Sequence, residues 1–420
     1  MDHTSTPSST SSQSSSRCST PEVVELVEKM RNICERLRRE GRQVNLVPTM
    51  GSLHDGHASL IKTAALTTNS DNHYLVSEQG SSTCHRQDLE ATSNTTEPTT
   101  DNEDVDQIDG AKETKLAART DNLTVNKSKK NISVVVSIFV NPVQFNTLDD
   151  YNNYPKTFEA DLELCRRLGV DYVFMPKHEE MYPHALDDRG NYSTSLSSEM
   201  VMLEPPSGYL QHVTIEGKSR PGHFRGMLTI VCKLFNIIQP CNAFFGEKDY
   251  EQLILVKQMV KNLNLNIAIV PVATVRHPVD KLPLSSRNVR LTHNERRIAP
   301  ILYDIIDNTK QVLENDCKLV NPEGHRDIDI TIQACMLSVM CLRLTTEESK
   351  IFNVDYLELR CAKDLSKINY DKTSCLFDCA RGCVLQRPPD MSRVLNTRLL
   401  IAVLVGPVRL LDNVEVSLNQ

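Results

Sequence analysis

The stretch from Val47 to Ile61, VPTMGSLHDGHASLI, constrains the fold of this chain more than any other. An apolar run ends at a proline, a loop with two glycines follows, and a helical pattern starts near Ala58, which predicts a strand, a loop and a helix. Unpaired backbone N–H groups and the positive end of the helix dipole face such a loop, which suits it to bind an anion such as phosphate. His54 and His57 are expected to place two imidazoles beside that anion.

These two histidines have other interpretations when the motif is considered alone. A His-x-x-Gly-His motif more often marks loop histidines without any chemistry. A zinc site is a second alternative, but no nearby set of carboxylates and histidines completes a zinc ligand shell. Motifs elsewhere in the chain are therefore needed to distinguish these interpretations.

Strand patterns and helix patterns alternate through the following part of the chain. Residues 132–140, ISVVVSIFV, form a continuous β-branched run, which is typical of a strand buried on both faces. Further strands are predicted at 44–47, 170–175, 243–245 and 267–275, and helices at 158–168, 227–238 and 250–263. This alternation indicates right-handed βαβ crossovers, and hence an α/β fold with a parallel sheet.

Three polar motifs follow three of these predicted strands. HDGH follows the strand at 44–47, NPVQF (Asn141–Phe145) follows 132–140, and GEKD (Gly246–Asp249) follows 243–245. Ligands of parallel sheets bind at the carboxyl ends of the strands. We therefore expect the three motifs to share one rim of the sheet.

The sequence also divides the chain into regions. Residues 1–22 are rich in Ser and Thr and predict a disordered tail. Near the end of this segment, Thr20 is expected to cap a helix that has Pro21 in its first turn and ends at Gly41. The sheet domain is predicted at 23–275, with the polar segment 66–131 as a disordered insertion. A C-terminal α+β lid domain is expected at 276–420, with an insertion at about 367–396. The spacing of three cysteines in this insertion allows a metal site, but they are also suited to be reduced thiols without a ligand: Cys375, Cys379 and Cys383.

Composition excludes several classes of function. The formal charge is −7, but residues 66–131 contain 12 Asp/Glu and 7 Lys/Arg, which leaves only −2 on the rest of the chain and no basic stripe for a nucleic acid. No apolar run approaches the length of a membrane span, and no signal-peptide pattern is visible. Thirteen scattered cysteines suit reduced thiols, so a cytoplasmic protein is expected.

With these motifs in place, the chain resembles the pantoate–β-alanine ligase (pantothenate synthetase) family, in the superfamily of HIGH-type nucleotidylyltransferases. PTMGSLHDGH, SIFVNPVQF, RPGHFRG, FGEKDY, LSSRN, VDYLELR and RLLDN occur in the family's order. The resemblance covers about residues 23–65 and 132–420. It implies a Rossmann-like parallel sheet with helices on both faces, a smaller C-terminal α+β domain that covers the site, and a homodimer.

The resemblance also implies the reaction. The carboxylate of pantoate attacks the α-phosphorus of Mg²⁺-bound ATP and releases pyrophosphate, and the amine of β-alanine then attacks the pantoyl adenylate and releases AMP. Because the substrate supplies its own nucleophile, the protein is expected to position the reactants and to stabilise charge.

Site residues carried over from the family fall into three groups. The proposed catalytic residues are His57, a proton donor, with His54, Lys248 and Arg287. Pantoate or β-alanine is expected at Asn141, Gln144 and Gln252, and an outer Mg²⁺ contact at Asp161. The ATP site is expected to comprise Met50, Gly51, Ser52, Leu53, His54, Asp55, Gly56, His57, Gly246, Glu247, Lys248, Asp249, Val275, Leu284, Ser285, Ser286 and Arg287.

Some of these residues have simpler interpretations. Asp249 is suited to cap the following helix, and His223 in RPGHFRG suits either a phosphate contact or a structural hydrogen bond. The family shows glycine where this chain has Lys281, and a positive φ at that position would strain the turn before LSSRN.

Two other functions compete with the ligase. A nucleotidylyltransferase of the same superfamily would need basic residues in place of Gln144 and Gln252 to hold its phosphate acceptor. A non-catalytic homologue that binds partners is the other alternative, which the intact HDGH, GEKD and SSRN motifs disfavour.

Overall fold

The computed structural model of the chain describes residues 20–68, 131–183, 200–207, 215–315, 328–367 and 395–418. Three predictions lie outside these residues: the tail up to residue 19, nearly all of the insertion at 66–131, and nearly all of the insertion at 367–396 with its three cysteines. No helix among the described residues is both long and apolar enough to cross a membrane.

Six parallel strands form the main sheet in the order β1-β4-β3-β2-β5-β6. These strands are β1 (Glu22–Val24), β2 (Gln43–Thr49), β3 (Ile132–Ile138), β4 (Tyr172–Phe174), β5 (Asn242–Gly246) and β6 (Ala268–Val272). The direction of strand order reverses at β2, because β3 lies on one side of it and β5 on the other. In open α/β sheets a crevice at such a reversal is the usual ligand site.

Helices cover both faces of this sheet, as alternate residues of β3 show. Val135 packs with the helices on one face, whereas Val134 and Val136 pack with those on the other. The helices of this part are α1 (Val27–Arg39), α2 (Asp55–Leu66), α3 (Leu148–Asn152), α4 (Phe158–Arg167), α5 (His178–Met181), α6 (Glu216–Ser219), α7 (His223–Ile238) and α8 (Tyr250–Asn262). The predicted Rossmann-like class is thereby confirmed.

The prediction at the start of the chain was wrong. Residues expected in the first turn of a helix form β1, where Val24 is fully buried and its carbonyl accepts a hydrogen bond from Met175 N–H at 2.8 Å. The helix starts later, at Val27, whose N–H donates to Glu180 Oε2 at 2.9 Å. The N-terminus of α1 is thus capped by a carboxylate distant in sequence instead of by Thr20.

The C-terminal part has its own apolar core, as expected of an α+β domain. Three helices, α9 (His293–Ile298), α10 (Ile301–Asn315) and α11 (Ile328–Arg343), accompany an antiparallel sheet of β7 (Phe352–Cys361), β8 (Leu395–Val405) and β9 (Val408–Leu418). Buried side chains such as Ile305, Leu399 and Val403 form this core. Polar residues of β9 reach the carboxyl end of the main sheet, as described below.

Candidate active site

The loop after β2 is closed by its two histidines. His54 Nδ1 accepts a hydrogen bond from Gly56 N–H at 3.1 Å, and His57 Nδ1 accepts one from His54 N–H at 3.2 Å. Because of this reciprocal cap, α2 begins at Asp55, three residues earlier than predicted. Both Nδ1 atoms act as acceptors, so the neutral rings carry their protons on Nε2.

The electrostatics of the two rings favour the neutral form. Burial, followed by the charge of Lys248, lowers the pKa of His54 to about 4. Burial and the neighbouring His54 lower the pKa of His57 to about 3. Each ring therefore offers an Nε2–H donor at neutral pH without a positive charge.

Asp161 stabilises the loop after β2 by accepting hydrogen bonds from its backbone. Its carboxylate accepts hydrogen bonds from Ser52 N–H at 2.8 Å, Leu53 N–H at 2.7 Å and Thr157 Oγ1 at 3.0 Å. Gly51 has a φ of +80°, and a Cβ there would lie 3.1 Å from Asp161 Oδ2, so the glycine permits the close approach. The side chain of Asp161 is buried and supports the loop, and its outer contact with Mg²⁺ stays a prediction.

The NPVQF motif forms a buried polar turn after β3. Asn141 Nδ2 donates to Gln144 Oε1 at 3.0 Å and to Gly226 O at 3.1 Å, and Tyr182 OH donates to Asn141 Oδ1 at 2.8 Å. A Cβ on Gly226 would lie 2.5 Å from Val143 O, so only glycine lets α7 pack this closely. The amides of NPVQF are consequently held at fixed positions on the rim.

His223 has a structural hydrogen bond in this turn. Its Nδ1 lies 2.9 Å from Gln144 O, and burial, with the nearby charge of Arg220, lowers its pKa to about 3. The ring also lines the cavity described below. The structure thus supports a structural hydrogen bond for His223, and it also places the ring at the wall of the cavity.

The GEKD motif brings a lysine and an aspartate to the end of β5. Lys248 Nζ lies 3.5 Å from Asp249 Oδ1. Burial raises the pKa of Asp249, but Lys248 and Arg287 outweigh this effect, and the net pKa lies below the ordinary value. The Asp249 side chain makes no capping hydrogen bond to α8, so the alternative that it merely caps this helix was wrong.

The LSSRN motif closes the cavity from the C-terminal part. Ser286 Oγ donates to Ser52 O at 3.1 Å and so joins this motif to the first loop. Arg287 is held by Asp150 at 2.9 Å, and this carboxylate also accepts a hydrogen bond from Arg290 at 2.7 Å. Burial opposes charge on Arg287, but the hydrogen bond to Asp150 raises the pKa of the guanidinium above its ordinary value.

Lys281 adopts the backbone conformation that its sequence position predicted. Its φ is +60°, in the left-handed region that glycine tolerates better. The turn is nevertheless closed, because Lys281 N–H donates to His277 O at 2.9 Å and Arg276 pairs with Pro283 as an antiparallel bridge. Ser285 to Arg287 therefore still face the cavity.

A cavity of about 400 Å³ lies among these motifs. Five residues predicted for the ATP site do not line it: Gly51, Ser52, Leu53, Asp55 and Glu247. The predicted residues that do line it are Met50, His54, Gly56, His57, Asn141, Gln144, Gly246, Lys248, Asp249, Gln252, Val275, Leu284, Ser285, Ser286 and Arg287.

Several lining residues were missed by the sequence analysis. They include Asp150, Arg220, Arg290, Tyr356, Arg409 and Asn413. Of these six, all but Asp150 and Arg290 lie inside motifs that were recognised, in RPGHFRG, VDYLELR and RLLDN, so the signal was present without an assigned role. The described residues contain no group of three or more His, Cys, Asp or Glu side chains arranged to hold a metal ion.

Comparison with known proteins gives a consistent result. The family profile of pantoate-beta-alanine ligase matches residues 22–77 and 121–415. The pantothenate synthetase of Caldicellulosiruptor bescii is 32% identical over 395 residues, which cover 94% of this chain and 99% of that protein.

Two solved structures are similar along most of their length. Pantothenate synthetase from Thermus thermophilus has a TM-score of 0.58 at 26% identity, covering 94% of this chain and 98% of that one. Pantoate-beta-alanine ligase from Francisella tularensis, complexed with beta-gamma ATP and beta-alanine, has a TM-score of 0.52 at 27% identity, covering 94% and 97%.

Proposed function

Because this chain belongs to the pantoate–β-alanine ligase family and catalyses the ATP-dependent ligation of pantoate and β-alanine, we propose that its reaction takes place in the cavity described above. The observation that carries the proposal is that HDGH, NPVQF, GEKD and LSSRN all contribute lining residues to this one cavity. These motifs are far apart in sequence, and their meeting at the crevice between β2 and β5 suits a nucleotide site.

The proposed reaction has two steps. A carboxylate oxygen of pantoate bonds to the α-phosphorus of ATP while the bond to pyrophosphate breaks. The amine of β-alanine then bonds to the carbonyl carbon of the adenylate and loses a proton. The bond between this carbon and the bridging oxygen breaks, and AMP leaves with that oxygen. No protein nucleophile takes part, so the chain contributes orientation and stabilisation of charge.

Charge stabilisation at the phosphates is assigned to four side chains. Lys248 and Arg287 are cations in the cavity, which suits them to hold pyrophosphate as it leaves. His54 and His57 supply neutral Nε2–H donors, which suit phosphate oxygens. Magnesium is proposed to enter as part of the Mg–ATP substrate, because this ion is bound mainly through the phosphate oxygens of ATP.

Pantoate is assigned to the amide side of the cavity. Asn141, Gln144 and Gln252 line this side, and an amide offers both a donor and an acceptor to hydroxyl and carboxylate groups. A phosphate-bearing acceptor would favour cations at these positions, which is an argument against the nucleotidylyltransferase alternative. The Francisella tularensis enzyme was solved with beta-gamma ATP and beta-alanine, which supports ATP and β-alanine as substrates of this chain.

The test is a coupled assay of AMP release in which each substrate is omitted in turn. We expect AMP to form only when ATP, pantoate and β-alanine are all present. Failure to form AMP with all three substrates would support the non-catalytic alternative instead.

A homodimer in the cytoplasm is also proposed, on the basis of the family resemblance. Sedimentation equilibrium of the purified chain is expected to give twice the mass of 47.3 kDa. A monomer at micromolar concentration would contradict this part of the proposal.

A further inference from the structure

The RLLDN motif has no role in the reaction as described so far, although its last residue lines the cavity. Asn413 lies on β9 and is almost completely buried. Its Nδ2 donates to two successive carbonyl oxygens of the GEKD turn, Glu247 O at 2.9 Å and Lys248 O at 2.8 Å. One side chain of the C-terminal sheet therefore holds the backbone that carries Lys248.

The orientation of this amide is fixed by a second residue of the same sheet. Arg398, on β8, donates from Nε to Asn413 Oδ1 at 2.7 Å, so the Nδ2 donors must face the carbonyls. The guanidinium also bonds to Glu247 Oε2 at 3.0 Å and lies over the Tyr250 ring at 4.3 Å. Arg398 is thus connected to the GEKD turn on both sides of Lys248.

The neighbouring residue anchors the strand itself. Asp412 is buried and forms a bidentate pair with Arg276, with distances of 2.6 and 2.8 Å. Arg276 begins the turn that leads to LSSRN. The same short segment of β9 is therefore connected to the GEKD turn that carries Lys248 and to the turn that leads to Arg287.

We infer that Asn413, oriented by Arg398, is a positioning residue that sets the place of Lys248 in the active site. This inference rests on the proposed role of Lys248 as the cation that stabilises departing pyrophosphate. A fixed backbone is important there, since a displacement of about 1 Å of a charge-stabilising group costs on the order of a hundredfold in rate. Neutral hydrogen bonds to two consecutive carbonyls leave the turn few ways to shift.

Asn413→Asp is the most informative variant. The carboxylate has nearly the shape of the amide and keeps the contact with Arg398, now as an ion pair, but it cannot donate to the two carbonyls. We expect kcat for pantoate-dependent pyrophosphate exchange to fall roughly tenfold to a hundredfold. Asn413→Ala, which adds no charge, is expected to lower kcat by a similar factor and serves if the first variant does not fold.

Thr397→Val is the matched control. Thr397 is fully buried on β8, and its Oγ1 donates to Val416 O at 2.8 Å, so the variant also removes a side-chain hydrogen bond between β8 and β9. It does not touch the GEKD turn. We expect a lower unfolding temperature with kcat within about twofold of the unmodified protein.

A double-mutant cycle with Lys248→Ala separates positioning from general structure. If Asn413 acts through Lys248, Asn413→Asp should change the residual rate of Lys248→Ala by less than about threefold. Equal loss in both backgrounds, or full activity of Asn413→Asp alone, would overturn the inference. Full activity of Lys248→Ala would instead refute the proposed role of the lysine, so the two failures are distinguishable.

Discussion

His54 and His57 illustrate how the surroundings of a residue define its chemistry. Their Nδ1 atoms are used by the backbone, and burial keeps both rings neutral in the free protein. The negative charge of bound ATP favours a protonated ring, so a proton-donor role for His57 depends on the nucleotide being present. Without ATP the two rings act as neutral hydrogen-bond donors.

We predict that His57→Gln lowers kcat for pyrophosphate exchange about a hundredfold, because general acid–base groups contribute factors of this order. The glutamine Oε1 can still accept the hydrogen bond from His54 N–H, so the loop should keep its shape. Steady-state kinetics measure the effect. His293→Gln, at an exposed position on α9, is the control and should be unchanged; a His57→Gln enzyme with normal kcat would contradict the assignment.

Stability should depend on pH because of the same burial. The pKa values of His54, His57 and His223 lie at about 4, 3 and 3 in the folded protein, below the ordinary value of 6.5. Between pH 6.5 and about 4 the unfolded chain therefore binds more protons, and the free energy of unfolding should fall as pH falls, by up to about 1.4 kcal/mol per pH unit for each histidine.

One carboxyl acts in the opposite direction. Burial raises the pKa of Glu251 to about 7, so its contribution to stability declines as pH rises from about 4.5 to 7. Urea denaturation at several pH values in this range measures the sum. The double variant His54→Gln, His57→Gln should show a shallower loss toward acid, and an unchanged slope would contradict the account.

At the scale of elements, the interiors of helices and strands were predictable and several ends were not. The strand β3 and the helix α8 follow from continuous apolar patterns in the sequence. The start of α1 depends on Glu180, and the start of α2 depends on two histidines, which are not usual capping residues. A residue distant in sequence fixed the first of these ends, and an unusual pair of capping residues fixed the second, so the usual local patterns did not locate them.

The turn before LSSRN gives a prediction about strain. Lys281 has a φ of +60°, which costs a non-glycine residue about 1–2 kcal/mol, whereas glycine adds some entropy to the unfolded chain. Lys281→Gly should therefore stabilise the protein by about 0.5–1 kcal/mol in urea denaturation. Lys363→Gly, in an exposed turn without positive φ, is the control and should not stabilise. A loss of stability in Lys281→Gly would show that the turn is not strained.

Helix α3 carries Asp150, whose carboxylate binds arginines in and just after the LSSRN motif. This carboxylate bonds to Arg287 and Arg290 and lies 3.9 Å from Arg220. Burial raises its pKa, but the hydrogen bond and charge of Arg287 outweigh this, so the net shift is downward and the group stays ionised. Asp150 is therefore the anion that balances Arg287 and Arg290 in the absence of ATP, whereas Arg220 also pairs with Glu216 at 3.6 Å.

We predict that Asp150→Ala lowers the free energy of unfolding by about 2 kcal/mol, because it leaves partly buried arginines without their anion. ATP should restore part of this lost stability, because its phosphates can bind the guanidinium groups without first breaking their ion pairs with Asp150. The rise in unfolding temperature on adding ATP should thus be larger for the variant than for the unmodified protein. Asp304→Ala, which removes an ion pair with Arg343 away from the cavity, is the control, and a smaller rise in Asp150→Ala would contradict this view.

At the scale of the whole molecule, the sequence indicated the site better than it indicated the contacts that hold it. The strand-end motifs predicted a ligand site at one rim of the sheet, and the cavity contains lining residues from each of them. Asn413 and Arg409 were missed because Asn413 binds the GEKD turn and Arg409 pairs with Glu216 of α6, and no local pattern reveals that β9 approaches these segments. The buried role of Asp161 depends on the same kind of long-range contact.

The central claim is that distant motifs of this chain meet at one pocket, where pantoate is activated as its adenylate. The most direct measurement is exchange of labelled pyrophosphate into ATP with β-alanine omitted. The account predicts exchange that requires pantoate and is strongly reduced, to a small residual rate, in Lys248→Ala. Exchange that proceeds equally well without pantoate would contradict it.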